Sequence, residues 1–231
     1  MGDTNRVGDL PRLIAFDLDG TLIDSRRDLT DSANQLIVEC GGDPLSEEVV
    51  GQMVGEGARL LVQRATTAAG LGDPPDALER FLTIYDERLL VHTRVYDGIP
   101  AALVAARDVA RLTVLTNKPL APTLRILDAL GMEDLFENVI GGDGAFSRKP
   151  DPASLFEQMR LVGATVGRTL LVGDSAIDRD TARRAGVSSC LVEYGFGRVT
   201  LPECLDASDG WLVTHADELP AVFRRFAAVS D

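Results

Sequence analysis

Apolar and polar positions change period twice along this chain. Leu13 to Phe16 is a short unbroken apolar run, which predicts a buried strand. After Leu22 the period becomes helical and stays so for about seventy residues. Leu29, Ala33, Leu36, Ile37 and Cys40 share one helical face, and Gly41-Gly42 ends that helix. Ser46 ahead of Glu47 and Glu48 predicts an N-cap with acids in the first turn. Val54-Gly55-Glu56-Gly57 interrupts the run. A further helix turns Ala58, Leu61, Val62, Ala65 and Ala69 inward and stops at Gly70. Pro74-Pro75 opens another, with Leu78, Phe81, Leu82, Tyr85 and Leu89 on one face. No strand is predicted between Ile23 and Val95. Residues 24–95 therefore read as an all-helical insertion with its own small core.

From Tyr96 helices and strands alternate. A helix with Leu103 and Val104 leads to a strand at Leu112–Leu115. A helix over Thr123–Leu130 stops at Gly131, and Val139-Ile140 is a short strand. Ala153–Val162 is helical, Thr169–Val172 a strand, and Asp178–Ala185 a helix closed by Gly186. Cys190–Val192 and Trp211–Val213 are further strands, and Leu219–Val229 is a last helix. Strands separated by helices mean βαβ units and a parallel sheet. The fold class is α/β: a Rossmann-like parallel-sheet core over 1–23 and 96–231, carrying the inserted helical block. Right-handed crossovers bring every strand's carboxyl end to one edge.

Composition narrows the partners. The 231 residues suffice for one large domain plus an insertion, and 45% hydrophobic residues furnish a normal core. Lys and Arg number 23 against 36 Asp and Glu, a net charge of −13, which argues against nucleic acid or an anionic membrane. A small anionic substrate stays compatible, because a metal and one lysine reverse the field within a single pocket. Cys40, Cys190 and Cys204 fit no zinc spacing and read as reduced, buried core thiols. The first eleven residues lack an apolar signal-peptide stretch, and no apolar run reaches the ~20 residues of a membrane span. A cytoplasmic monomer or homodimer is expected.

Chemistry gathers at the predicted strand ends. Asp17, Asp19, Gly20 and Thr21 follow the first strand; Thr116, Asn117 and Lys118 follow the second. Arg148-Lys149-Pro150-Asp151-Pro152 comes after the third, and Gly173, Asp174, Ser175 and Asp178 after the fourth. Singly, each set has an ordinary explanation: an Asp-Gly turn, a helix cap, a solvated lysine. Jointly they converge on the edge where open α/β sheets bind ligands. Acids crowded there repel unless a cation or a shared proton intervenes, and a divalent metal with a phosphate balances them.

The motifs Asp17-Leu18-Asp19-Gly20-Thr21-Leu22, Thr116-Asn117, Lys149 and Gly173-Asp174-Ser175-Ala176-Ile177-Asp178 occur in this order over most of the chain. In them the sequence resembles the phosphatase branch of the haloacid dehalogenase superfamily, and the helical block is similar to that superfamily's small helical cap. A closer likeness is to bacterial phosphoglycolate phosphatases. It is carried by Val54-Gly55-Glu56-Gly57-Ala58, Thr116-Asn117-Lys118-Pro119, Gly141-Gly142-Asp143, Lys149-Pro150-Asp151-Pro152 and Tyr194-Gly195-Phe196-Gly197. Gly144 stands where that subgroup usually has threonine.

The resemblance implies a magnesium-dependent phosphatase acting on a small phosphorylated metabolite, with 2-phosphoglycolate the leading candidate. Asp17 would be the nucleophile, forming an aspartyl phosphate. Asp19 would be general acid for the leaving group and then general base for water. Gly20 would leave room for the phosphoryl group, and Thr21 would hydrogen-bond Asp19. The Asp17 carboxylate, the Asp19 backbone carbonyl and the Asp174 carboxylate would hold Mg2+, hard oxygens suiting a hard cation. Asp178 and Ser175 would support from behind. Thr116 and the Asn117 amide would bind phosphoryl oxygens, and Lys149 would offset charge beside Asp17. Gly55, Glu56 and Gly57, with Arg59, are the candidates for reading the leaving group from the cap. His92, Thr93 and Arg94 would be hinge or rim. Two rivals stand beside this reading: a sugar phosphomutase of the same superfamily, and a receiver-like module phosphorylated on Asp.

Overall fold

A computed structural model describes residues 10–196 and 210–228. Cys204, Gly197, Val229 and the first nine residues, all used in the sequence reading, lie outside the described residues.

Six parallel strands make the central sheet, in spatial order β5-β4-β1-β6-β7-β8. They are β1 (Leu13–Phe16), β4 (Arg111–Leu115), β5 (Asn138–Ile140), β6 (Thr169–Gly173), β7 (Ser188–Val192) and β8 (Gly210–Val213). Each was expected, to within two residues at its ends. β1 is central because it is apolar on both faces, as a strand covered from both sides must be. Ile14 and Phe16 point into one layer, Leu13 and Ala15 into the other. The first layer is closed by α5 (Ile99–Arg107), α6 (Leu120–Ala129) and α9 (Leu219–Ala228). There Phe16 meets Phe136 and Phe223 edge-on, at 6.3 and 6.0 Å between ring centroids. The second layer is closed by α7 (Ala153–Val162) and α8 (Ala176–Ala185).

The helical block holds α1 (Arg26–Glu39), α2 (Glu47–Gly51), α3 (Ala58–Ala68) and α4 (Ala77–Arg88). Ser46 caps α2, its hydroxyl accepting the Val49 amide at 3.3 Å. Three expectations are corrected here. First, two short strands do form, β2 (Ile23–Asp24) and β3 (Arg94–Val95), paired antiparallel at the two crossings into the block. Two residues are too few to show a period in sequence. Second, the block has no separate core. Leu18, Leu22, Ile23 and Leu29 join its interior to the layer under the sheet as one apolar cluster. Third, Leu82, placed on the apolar face of α4, is exposed, while Ile84 is buried instead. Of the cysteines, Cys190 is buried and Cys40 half-buried, both as free thiols.

Candidate active site

β1 delivers Asp17 directly, and the Asp17 amide still donates to the Val172 carbonyl of β6 at 2.9 Å. Beyond it the chain wraps tightly: the amides of Thr21, Leu22 and Ile23 all donate to the Leu18 carbonyl, at 3.2, 2.9 and 3.2 Å. That wrap requires Gly20, whose φ is +85°. A Cβ there would lie 2.1 Å from Asp174 Oδ2. The glycine thus makes room for a neighbouring carboxylate.

The other strand ends close around Asp17. Asp174 follows β6, and its Oδ2 accepts the Phe196 amide at 2.7 Å. Lys149 is buried, with Nζ 2.8 Å from Asp17 Oδ1 and 2.6 Å from Asp178 Oδ1. Asp178 sits in the first turn of α8. There Ser175 Oγ donates to Asp178 Oδ2 at 2.5 Å, while the Asp178 amide donates back to Ser175 Oγ at 3.4 Å. This reciprocal cap fixes the carboxylate without a solvent contact. Asn117 acts through its side chain. Its Oδ1 accepts the Lys149 amide at 2.9 Å, and its Nδ2 donates to the carbonyls of Lys149 and Gly55 at 3.0 and 2.9 Å. One amide therefore ties the second strand end to the lysine loop and to the cap. The Thr116 hydroxyl accepts the Lys118 amide at 3.2 Å and keeps its own proton to donate.

Asp19 departs from expectation. Thr21 does not touch it: Thr21 Oγ1 is buried with no hydrogen-bond partner among the described residues. Ser25 Oγ donates to Asp19 at 2.5 Å instead, and Lys118 Nζ lies 3.1 and 3.2 Å from its two oxygens. Lys118 also donates to the Tyr85 hydroxyl of α4 at 2.7 Å. Ser25, Lys118 and Tyr85 were not assigned from sequence. Lys118 stood in the quoted Thr-Asn-Lys-Pro run, and Ser25 was readable as an N-cap candidate before α1. Nothing in sequence marked the Tyr85 hydroxyl, since the residue falls on the apolar face of its helix.

The cap residues separate into two pairs. Gly55 and Gly57 line the cavity over Asp17 and Asp19; a Cβ on Gly57 would come within 3.2 Å of the Asn117 carbonyl oxygen. Glu56 turns away into an ion pair with Arg64, and Arg59 is exposed. The cavity's cap wall is apolar: Leu29, Val54, Ala58, Leu61, Phe81 and Tyr85.

Burial raises Asp17 to about 6; Lys149 pulls it down and Asp178 pushes it up. Burial works against the charge of Lys149, but Asp17 and then Asp178 outweigh it and hold the ammonium well above the ordinary lysine range. Side-chain oxygens of Asp17, Asp174 and Asp178 lie within 4.8 Å of one another. With Asp19 that makes four carboxylates against two ammonium groups, Lys118 and Lys149. The surplus negative charge, held on hard oxygens in a buried cluster, fits a divalent cation.

Known proteins fit the same picture. Residues 14–192 match the family model of the haloacid dehalogenase-like hydrolases. A phosphoglycolate phosphatase of Rhodospirillum rubrum is 42% identical, over 96% of this chain and 90% of its own length. One from Pseudomonas putida is 37% identical, over 91% and 85%. A crystal structure described as a predicted phosphoglycolate phosphatase from Haemophilus somnus superposes with a TM-score of 0.84. Its identity is 30%, and the match covers 93% of this chain and 99% of that one.

Proposed function

We infer function from one premise: this chain belongs to the haloacid dehalogenase-like hydrolase family. On that premise it is a phosphoglycolate phosphatase, a phosphoric monoester hydrolase releasing glycolate and phosphate. The observation that carries the chemistry is the buried Asp17, within 2.8 Å of Lys149 and grouped with Asp174 and Asp178. The near full-length likeness to two phosphoglycolate phosphatases supports the choice of substrate.

Our mechanism assigns two displacements. An Asp17 oxygen attacks phosphorus as the bond to the ester oxygen breaks, and Asp19 gives its proton to departing glycolate. Asp19 then takes a proton from water, which attacks the aspartyl phosphate and frees Asp17. Ser25 and Lys118 hold Asp19 in place for both transfers. The Thr116 hydroxyl and the Asn117 amide bind phosphoryl oxygens, and Lys149 stays against Asp17 as negative charge accumulates. Asp17 and Asp174, with the Asp19 carbonyl, would hold Mg2+, and Asp178 would steady the group. When bound, the ion supplies charge neutralisation that lets an anionic nucleophile approach an anionic phosphate.

We divide the chain at the β2–β3 ribbon, into a catalytic core of 1–23 and 96–231 and a cap of 24–95. Among the described residues no helix is long and apolar enough to cross a membrane. We assign the enzyme to the cytoplasm, as a monomer or homodimer. The test is phosphate release over a panel of small phosphate esters with Mg2+ present. 2-Phosphoglycolate should lead the panel, and an ester chiral at phosphorus should be hydrolysed with net retention, because each of the two displacements inverts that centre. Net inversion overturns the mechanism; preference for another ester overturns the substrate.

A further inference from the structure

The substrate in this reading carries two anionic groups, and the site described so far accounts for one. Phosphate meets Lys149, Thr116 and the acid cluster. The carboxylate of the leaving group must enter the cap cavity, whose cap wall is apolar. A carboxylate desolvated against Leu29, Val54, Leu61 and Phe81 needs a cation and hydrogen-bond donors. Among the described residues lining that cavity, Lys118 is the one basic side chain.

Its surroundings are built for the task. Nζ is 2.7 Å from the Tyr85 hydroxyl and 4.6 Å from the centroid of that ring. Tyr85 is buried and stacked on Phe81, with centroids 5.8 Å apart and planes 6° from parallel. Neither group can therefore swing far. An ammonium has three N–H bonds. The two Asp19 oxygens, at 3.2 and 3.1 Å, and the Tyr85 oxygen, at 2.7 Å, accept from them. Because Tyr85 accepts from Lys118, its own proton stays available to donate. Burial pushes Tyr85 up to about 12, so it keeps that proton. A phenol O–H is thus free to donate at the cavity, beside an ammonium that spends two contacts on one carboxylate and can turn one of them to a second.

Position agrees with chemistry. Asp19 is the residue that meets the ester oxygen, and Lys118 Nζ lies 3.1 Å from it. In 2-phosphoglycolate the carboxylate is one methylene from that same oxygen. We propose that Lys118, with Tyr85 beside it, binds the carboxylate of the leaving group and so selects carboxylate-bearing esters. This rests on the phosphoglycolate reading. Arg148 is the nearest rival cation. It is exposed, its Nε donates to the Gly142 carbonyl at 2.7 Å, and its guanidinium lies behind Gly57 of the cavity wall without lining the cavity itself.

Ethyl phosphate supplies the comparison: a monoester of similar length without the carboxylate. The measured quantity is the kcat/KM ratio of 2-phosphoglycolate to ethyl phosphate. Lys118→Met should lower it about 100-fold, as expected when a site built to hydrogen-bond one group loses its donor. Tyr85→Phe should lower it about 10-fold, and Arg148→Met should leave it unchanged. Lys118→Met also disturbs Asp19, so binding is measured separately by calorimetry with both esters in an Asp17→Asn background. There the added Lys118→Met should remove the affinity advantage of 2-phosphoglycolate. If Lys118→Met weakens both esters equally in kinetics and in binding, Lys118 serves Asp19 alone and the proposal fails. A collapse of the ratio in Arg148→Met would move the subsite to that residue. An unmodified enzyme that hydrolyses ethyl phosphate as well as 2-phosphoglycolate fails the substrate reading itself, and the proposal with it.

Discussion

Asp17, the nucleophile of the proposed mechanism, shows how one buried group would set conditions for the whole reaction. Its folded-state value of about 6 lies above the ordinary 3.8, chiefly because burial disfavours the charge. At low Mg2+, kcat/KM should therefore fall about tenfold per pH unit below about pH 6, as the nucleophile takes up a proton. Raising Mg2+ should move that limb to lower pH, because cation and proton compete for the same oxygens. The same shift acts on stability with a definite sign. The folded protein keeps this proton where the unfolded chain has lost it. The contribution of Asp17 to the metal-free protein is thus intact below about pH 4 and lost as pH rises to about 6, a cost of about 3 kcal/mol. Urea unfolding across that window measures it. Asp17→Asn should abolish turnover and remove the pH dependence of this term. Thr21 gives the contrary case. Its hydroxyl is buried without a partner among the described residues, so Thr21→Val should leave kcat unchanged and stability equal or up to about 1 kcal/mol higher. Ser25→Ala should lower kcat, since Ser25 holds Asp19.

At the scale of elements, the two ends of the helical block are fastened to each other by a carboxylate that has no place in the proposed chemistry. Asp28, in the first turn of α1, is buried. It accepts the amides of His92 and Thr93 and the Thr93 hydroxyl, with the closest contacts at 2.9, 2.7 and 2.7 Å. Those residues lead into β3, so α1 and the return crossing are fastened to each other beside the β2–β3 pair. Asp28→Ala would leave these donors without their acceptor, and a loss of about 3 kcal/mol is expected in urea unfolding. Asp28→Asn should lose less, because the amide oxygen still accepts. His92 and Thr93, expected with Arg94 at a hinge or rim, meet Asp28 through backbone amides that no side-chain pattern reveals. Asn117 links elements in the same way. Its residue type was noted for a backbone amide, while its side chain joins three segments.

At the scale of the whole molecule, net charge and local charge have separate meanings. A net charge of −13 repels polyanions at long range, yet the buried acid cluster holds more negative charge than two lysines balance. Magnesium should therefore stabilise the fold as well as permit turnover. At a free concentration of about 100 times its Kd, the gain is about 2.7 kcal/mol by mass action. Thermal unfolding with and without a chelator measures it, and Asp174→Asn should diminish the gain. An unchanged midpoint in saturating Mg2+ would mean that the acid cluster holds no ion. The single apolar cluster running from sheet to helical block carries its own expectation. Core and cap should unfold in one transition, with fluorescence and far-ultraviolet circular dichroism giving the same midpoint.

The alternation of apolar runs and helical stripes was enough to determine the six strands, their parallel arrangement and the edge where chemistry collects. Burial dictates which residues are apolar, and strand crossovers have one favoured hand, so these features leave a local trace in sequence. The acids at the strand ends were legible for the same reason: Asp17, Asp19 and Asp174 directly follow apolar runs, as Lys149 does at one remove. The tertiary structure alone decided which polar atoms meet. Thr21 was chosen as the partner of Asp19 by proximity in sequence, but the wrap around Leu18 turns its hydroxyl elsewhere and brings in Ser25 and Lys118. Tyr85, 33 residues from Lys118 along the chain, meets it only because the cap folds over the sheet edge. Side-chain hydrogen bonds act over about 3 Å and carry no period, so contacts between distant segments emerge only once the chain is folded.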